Sequence, residues 1–499
     1  MNITVNLNIS EIIKAVKAVD FIYMGSGGTD KLFINDIATD SRKITADKEN
    51  KSEKSNKSLF FAIKGERLDG HDFVRQAIEN GAAGAVIEKE YAEHVKKINL
   101  RLNSDNPAIF ILVEDTVQAL LDTAKCYKSL FKLNKTVAVT GSVGKTTTKE
   151  FIYSVMSQKF KTQKSEGNYN TEIGLPFTLF ALEKDTEAIV LEMGMSAFGE
   201  ISRLSKTANP DIAVITNIGT SHIEMLGSRD GIKKAKFEIL DGMMDGIYGS
   251  NIILNADESL LYSEKGKTGK KEYFFGINNK SADFIAGNIK FDYELNESYF
   301  TVDSMQFKIP TLGIHNIYDA MPAVITGIIY GLTEDLIQNG FNNFENAKMR
   351  QNIYDFHGIT IIDDCYNASV ESVTAALDVL SEVAKNINGR KIAVLSDILE
   401  AGQYAEEIHA RVGKAVVSKG TDVAYLFGEK SRITAETIES LNTDIEVCKC
   451  CYFTDKFKIS DDLYREIRQN DVVLFKASRG MALETVLEDF KNKYAIYRE

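Results

Sequence analysis

The stretch Thr140-Gly141-Ser142-Val143-Gly144-Lys145-Thr146-Thr147 holds, in fixed order, the residue types that grip a nucleoside triphosphate. Glycines let backbone N–H groups close on phosphate oxygens, Lys145 brings a full positive charge, and the Thr146 hydroxyl is a ligand for Mg²⁺. The general pattern has a further glycine at position 139, where this chain has Val139, so the loop is a shortened variant. ATP is the expected guest. Two other chemistry-bearing residues follow apolar runs: Glu192 comes directly after residues 188–191, and His222 lies beyond the Thr216-Asn217 that ends residues 212–215. Ligands of an open parallel sheet gather outside the carboxyl ends of its strands, so Lys145, Glu192 and the segment up to His222 are expected to meet at one Mg²⁺–phosphate site.

The elements that must position these residues are readable around them. The β-branched run before the loop predicts a strand, and Phe151, Ile152, Val155 and Met156 predict the helix after it. Near the start, Ser10 reads as the N-cap of a helix carrying Ile12, Ile13, Val16 and Val19. Residues 33–42 and 59–63 read as extended, residues 73–80 as a helix, and the Lys/Glu/Ser/Asn-rich tract 46–57 as a mobile surface insertion. Beyond Glu345 the pattern restarts, with strands at 360–362, 391–395, 422–427 and 471–475. The expectation is an α/β chain of three domains. A small α/β N-terminal domain spans 1–112, a central phosphate-loop parallel-sheet ATPase domain 113–344, and a C-terminal Rossmann-like α/β domain 345–499.

Composition narrows the function. A chain of 499 residues with a net charge of −12 carries no broad cationic surface, so neither nucleic acid nor an anionic membrane is an expected partner. Five cysteines, an odd number, argue against a closed disulfide framework, and the lone Cys448-x-x-Cys451 pair has no partner pair for zinc. The first twenty residues lack a basic region followed by an apolar one, so a signal peptide is not expected, and the apolar region 317–332 is too short and too interrupted by Asp319 and Pro322 to be expected to span a bilayer.

An ordered set of motifs then resembles one family closely. These are Thr39-Asp40-Ser41-Arg42, the run from Leu59 to Asp69-Gly70-His71, the phosphate loop, Gly167-Asn168-Tyr169-Asn170, Glu192-Met193-Gly194, Ala235-Lys236-Phe237-Glu238, and Lys476-Ala477-Ser478-Arg479-Gly480. They resemble the ATP-dependent Mur ligases of peptidoglycan synthesis, and among them the MurF type. The resemblance implies a cytoplasmic, monomeric enzyme that uses ATP and two Mg²⁺ ions to join D-alanyl-D-alanine to UDP-MurNAc-tripeptide. By the same resemblance Gly141, Ser142, Val143, Gly144, Lys145, Thr146 and Thr147 would hold the ATP phosphates. Asn316 would contact adenine, Asp364 would lie near the ribose, and Arg350 would reach the γ-phosphate. Thr146 and Glu192 would bind one Mg²⁺, and His222 and a carbamylated Lys236 the other. Ser41, Arg42, Asn168 and Asn170 would meet the UDP-sugar peptide.

Some positions depart from that pattern. Ser369 and Val370 stand where the family has Asn-Pro, Ser396 and Ala477 where it has glycines, and Asp319 where it has a second asparagine. These changes leave the amine donor open between D-alanyl-D-alanine and another amine, with a non-catalytic UDP-sugar-binding subunit as a third reading. No motif separates lysine from diaminopimelate in the tripeptide.

Overall fold

The computed structural model describes residues 1–24, 29, 32–44, 57–97, 108–243, 249–442 and 447–498. The insertion read at 46–57 lies outside them except for its last residue. Among the described residues three sheets follow one another along the chain. The first runs, in spatial order, Asn2–Asn8, Phe33–Ala38, Ser58–Phe61, Gly84–Glu88, Ala108–Val113 and Asp20–Met24. Its four inner strands are parallel and both edges antiparallel. The opening helix is Ile9–Ala15 and its cap is Asn8, whose side chain accepts from Ser10 N. Ser10 is therefore inside the helix, and Val19 is exposed beyond it.

The second sheet orders Met305–Ile309, Glu297–Val302, Phe284–Asp292, Lys271–Gly276, Asn251–Asn255, Ile212–Ile215, Thr136–Thr140, Ala188–Glu192 and Thr162–Lys164. From Phe284–Asp292 onward all neighbours are parallel, and the first three strands form an antiparallel meander that the hydrophobic pattern had not revealed. Val139 pairs with Val214 on one side and Glu192 on the other, fully buried in the core of this sheet. A glycine there would forfeit core packing, so the loop starts two residues later, at Gly141. The third sheet orders Asn352–Phe356, Ile359–Asp364, Val472–Lys476, Lys391–Ser396, Val423–Phe427 and Lys449–Phe453, antiparallel only at its first pair.

Helix Thr116–Ser129 bridges the first two sheets. Its buried Tyr127 hydroxyl accepts from Thr4 N at 3.0 Å and Val5 N at 3.3 Å, while Thr4 Oγ1 donates to Leu182 O at 2.6 Å.

Helix Ile314–Ile329, the apolar region noted above, packs along the phosphate-loop helix Lys145–Met156 through Ile317, Ala320, Met321 and Val324. Asp319 faces the same way. Its carboxylate abuts Gly144, whose φ of +82° and lack of side chain make the approach possible, since a Cβ there would sit 2.1 Å from Asp319 Oδ1. Thr148 Oγ1 donates to that oxygen at 3.3 Å. Burial pushes the Asp319 carboxyl up to about 8, against the smaller opposing pull of Thr148 and Arg350.

A carboxyl whose folded-state pKa exceeds its unfolded value near 3.9 stabilises the fold fully below that value and loses the contribution as pH rises through about 8. Asp319→Asn, neutral and nearly isosteric, is expected to gain stability over the parent on the order of a few kcal/mol at pH 8, and almost none at pH 4. Thermal melting of both proteins across that range measures it. A difference independent of pH would show that Asp319 stays ionised.

Candidate active site

The carboxyl ends of strands Thr136–Thr140, Ala188–Glu192 and Ile212–Ile215 open into a cavity of about 470 Å³ lined by residues of the second and third sheets. Helix Lys145–Met156 starts there with Gly144 as an N-cap that offers no side-chain hydrogen bond, so its first-turn N–H groups are left for an anion. The loop before it is moulded by Asn217, whose Oδ1 accepts from Ser142 N at 3.2 Å and Val143 N at 2.9 Å while its Nδ2 donates to Val143 O at 3.0 Å. At Gly141 a Cβ would fall 1.8 Å from Thr216 Oγ1, so only glycine lets the loop approach that strand end. Lys145 Nζ donates to the carbonyls of Gly141 at 2.8 Å and Ser142 at 3.4 Å. Burial lowers its pKa, partly offset by Glu192.

Glu192 ends its strand level with Val139 and is buried. Its two oxygens accept from Thr146 Oγ1 and Asn170 Nδ2, each at 2.9 Å. Thr146 Oγ1 in turn accepts from Arg350 Nη2 at 3.1 Å, and the Arg350 guanidinium stacks 4.1 Å from the centre of the Tyr366 ring. Arg350 stands between Met349 and Gln351, which have φ of +57° and +48°. Such backbone persists only where the surroundings impose it. Gln351 supplies that restraint: its N–H donates to Asp364 Oδ1 at 3.3 Å and its Nε2 to Leu312 O at 2.7 Å. Asp364 Oδ2 accepts from the buried Lys476 at 2.5 Å.

Thr147, Asn168, Asn170, His222, Asn316 and Asp364 also line the cavity. The Asn316 amide nitrogen donates to Thr311 Oγ1, Leu312 O and Gln351 Oε1, while its oxygen has no partner among the described residues. An unfilled acceptor in the wall suits an amino group of a ligand. Lys236 is not in the lining. It is buried, and burial first, then the charge of Lys145, lowers its pKa well below the usual lysine range. Among the described residues no group accepts a hydrogen bond from its amine. Ser41 and Arg42 stand apart in the first domain, Ser41 donating to Gln76 Oε1 at 2.9 Å and the exposed Arg42 paired with Asp40 at 2.9 Å.

Sequence reasoning assigned no role to Asn217, Glu371, Tyr366 or Lys476, all of which line the cavity. Asn217 and Lys476 lay in stretches already noted, and their places at strand ends were the available signal. Tyr366 and Glu371 carried none, since Tyr366 acts by stacking on Arg350 of its own domain and Glu371 by meeting Thr220 of the second domain.

A divalent ion fits part of this wall. Among the described residues no three His, Cys, Asp or Glu side chains converge as a metal cage. A buried carboxylate beside a hydroxyl, Glu192 with Thr146, is the partial donor set that Mg²⁺ takes when phosphates complete its shell.

Three family models match the chain: Mur ligase family, catalytic domain, over residues 37–128; Mur ligase middle domain over 139–327; and Mur ligase, glutamate ligase domain, over 349–479. The UDP-N-acetylmuramoyl-tripeptide–D-alanyl-D-alanine ligase of Bacillus subtilis is 36% identical over 498 residues, covering 97% of each chain. The ligase of that name from Escherichia coli is 32% identical over 460 residues, covering 90% of this chain and 92% of its own. Among solved structures, MurF from Acinetobacter baumannii superposes with a TM-score of 0.83 at 26% identity, over 99% of this chain and 100% of that one. MurF ligase from Thermotoga maritima in complex with ADP gives 0.76 at 28% identity, over 92% and 98%. With its three domains matched in order and a relative 36% identical across nearly its whole length, the chain belongs to the Mur ligase family.

Proposed function

We propose that this protein uses ATP to join D-alanyl-D-alanine to UDP-MurNAc-tripeptide, releasing ADP and phosphate. The observation that carries the reading is the near full-length match to ligases of that name. The cavity joining a phosphate loop to an arginine of the next domain agrees with it. A carboxylate is a poor acyl donor because its oxide is a poor leaving group. It therefore attacks the γ-phosphate, releasing ADP and becoming an acyl phosphate, and the amine of D-alanyl-D-alanine then displaces phosphate. Lys145, Arg350 and the helix N-terminus offset the repulsion between the two anions, and a closed cavity keeps water from the acyl phosphate.

In this reading residues 1–112 recognise the UDP-sugar with Ser41 and Arg42, residues 113–344 bind ATP, and residues 345–499 close over it. Asn168 and Asn170 meet the peptide end of the substrate, Asn316 takes adenine, and Asp364 sits by the ribose. Thr146 and Glu192 would hold one Mg²⁺, and His222 with carbamylated Lys236 a second. When bound, such ions neutralise phosphate charge during transfer. The buried Lys236 amine suits carbamylation: its low proton affinity leaves a free lone pair to add to CO₂, giving an N-carboxylate and one proton. All these residues come from one chain, and a monomer in the cytoplasm is the matching state. No helix among the described residues is long and apolar enough to cross a membrane.

Incubation with UDP-MurNAc-tripeptide, D-alanyl-D-alanine and ATP is expected to release phosphate and to give a product heavier by the dipeptide less water, read by mass spectrometry. Phosphate release only with a different amine would reassign the donor. Lys236→Ala is expected to lower kcat on the order of 100-fold or more while calorimetric ATP affinity stays near the parent's, with small carboxylates restoring part of the rate. Unchanged turnover would remove Lys236 from the site.

A further inference from the structure

Arg350 is not the only bridge between the second and third domains. Four further contacts form beside it, three of them between two facing loops and one from the first loop to the start of helix Val370–Ile387. One loop follows strand Ile212–Ile215 and carries His222, at φ +62°, just before the short helix Ile223–Leu226. The other follows strand Lys391–Ser396 and carries Glu400, at φ +58°, before the turn Gly402–Tyr404. His222 Nδ1 lies 2.6 Å from Glu400 Oε2. Tyr404 donates its hydroxyl proton to Gly227 O at 2.6 Å. Gly402 presses so closely on Glu224 that a Cβ would meet three of its side-chain carbons at 2.7 to 3.1 Å. Thr220 Oγ1 donates to Glu371 at 3.1 Å. Left-handed backbone at two facing non-glycine residues is uncommon, and here the pairing across the gap holds both.

His222 lines the cavity, whereas Glu400 stands behind it. A ring nitrogen this close to a carboxylate oxygen carries the proton, so Nδ1–H faces Glu400. In the neutral ring Nε2 is then the nitrogen with a free lone pair. The same arrangement orients imidazole ligands through an outer carboxylate. Here the carboxylate belongs to a different domain, so the ring is held in this tautomer only while the third domain sits on the second.

We propose that Glu400 is a positioning residue and that, with Tyr404, it forms a latch through which domain closure sets the tautomer and orientation of His222. The proposal rests on the ligase reading for its effect on rate, though not for its effect on the ring.

Two readouts separate them. The full-length protein labelled with ¹⁵N-histidine has six histidines, and His222 is assigned by the signal lost in His222→Gln. The parent is expected to show the Nδ1–H form at this ring, and Glu400→Ala a shift toward Nε2–H. In the same variant kcat falls on the order of 10- to 100-fold with the KM for ATP little changed. Glu400→Gln, whose amide oxygen accepts the same bond, restores the ring signal and most of the rate. Tyr404→Phe enlarges the radius of gyration in small-angle scattering. Should Glu400→Ala fail to fold, the glutamine and phenylalanine variants decide the matter through those two signals. A parent-like ring and rate in Glu400→Ala, or a Glu400→Gln as impaired as the alanine variant, overturns the latch. A parent protein without turnover, but with the ring shift intact, overturns the ligase reading alone.

Discussion

Thr146 Oγ1 donates one hydrogen bond to Glu192 and accepts one from Arg350, so a single hydroxyl ties the phosphate loop to a strand end and to the third domain. Its one proton and one of its two lone pairs are used in this way, the second lone pair is left for a ligand, and each partner is held from elsewhere. Glu192 is fixed by Asn170 and by its register with Val139. Arg350 is fixed by the Tyr366 ring and the two left-handed residues beside it. The positioning that acyl phosphate chemistry requires is thus inherited from strand register on one side and from domain packing on the other.

Charge in this region is deliberately under-compensated. The hydrogen bonds of Lys145 go to backbone carbonyls, Lys236 is buried beside it, and Asp319 is buried against the loop glycine. Burial disfavours the charged form of each of these groups, and that cost is offset only by counter-charge or hydrogen bonding. A polyphosphate supplies both to Lys145. At Asp319, burial instead pushes the carboxyl up to about 8, which favours its neutral form.

Much of the site was legible because its signals are local. The phosphate loop needs glycines, a lysine and a hydroxyl within eight residues, and strand ends announce themselves by the polar residue that follows an apolar run. The same logic found Glu192 and the region of His222. It mistook Ser10 for a cap, because Asn8 and Ser10 are both good capping residues and only the backbone angles choose between them. It missed the meander Phe284–Ile309: Phe284–Asp292 and Met305–Ile309 mix exposed and buried positions irregularly, and Glu297–Val302, though it alternates, buries the polar Ser298 and leaves Tyr299 half-buried. It also passed over the edge strands Asn352–Phe356 and Lys449–Phe453, which are largely half-buried or exposed and so carry little apolar signal.

By itself the sequence pointed to a phosphate loop, from residue type and short spacing, and to the Mur ligase family, from an ordered set of motifs along the chain. It also named Lys236 and Arg350, but only through family likeness, because a buried lysine and a reaching arginine look in sequence like any others. Tertiary structure decided the rest. It brought Arg350 across to Thr146, set Glu400 behind His222, sank Lys236 out of water and pushed Asp319 against Gly144. Each of these is a contact between segments far apart in the chain, whose distance and burial depend on how whole domains pack, a quantity that local propensity does not encode.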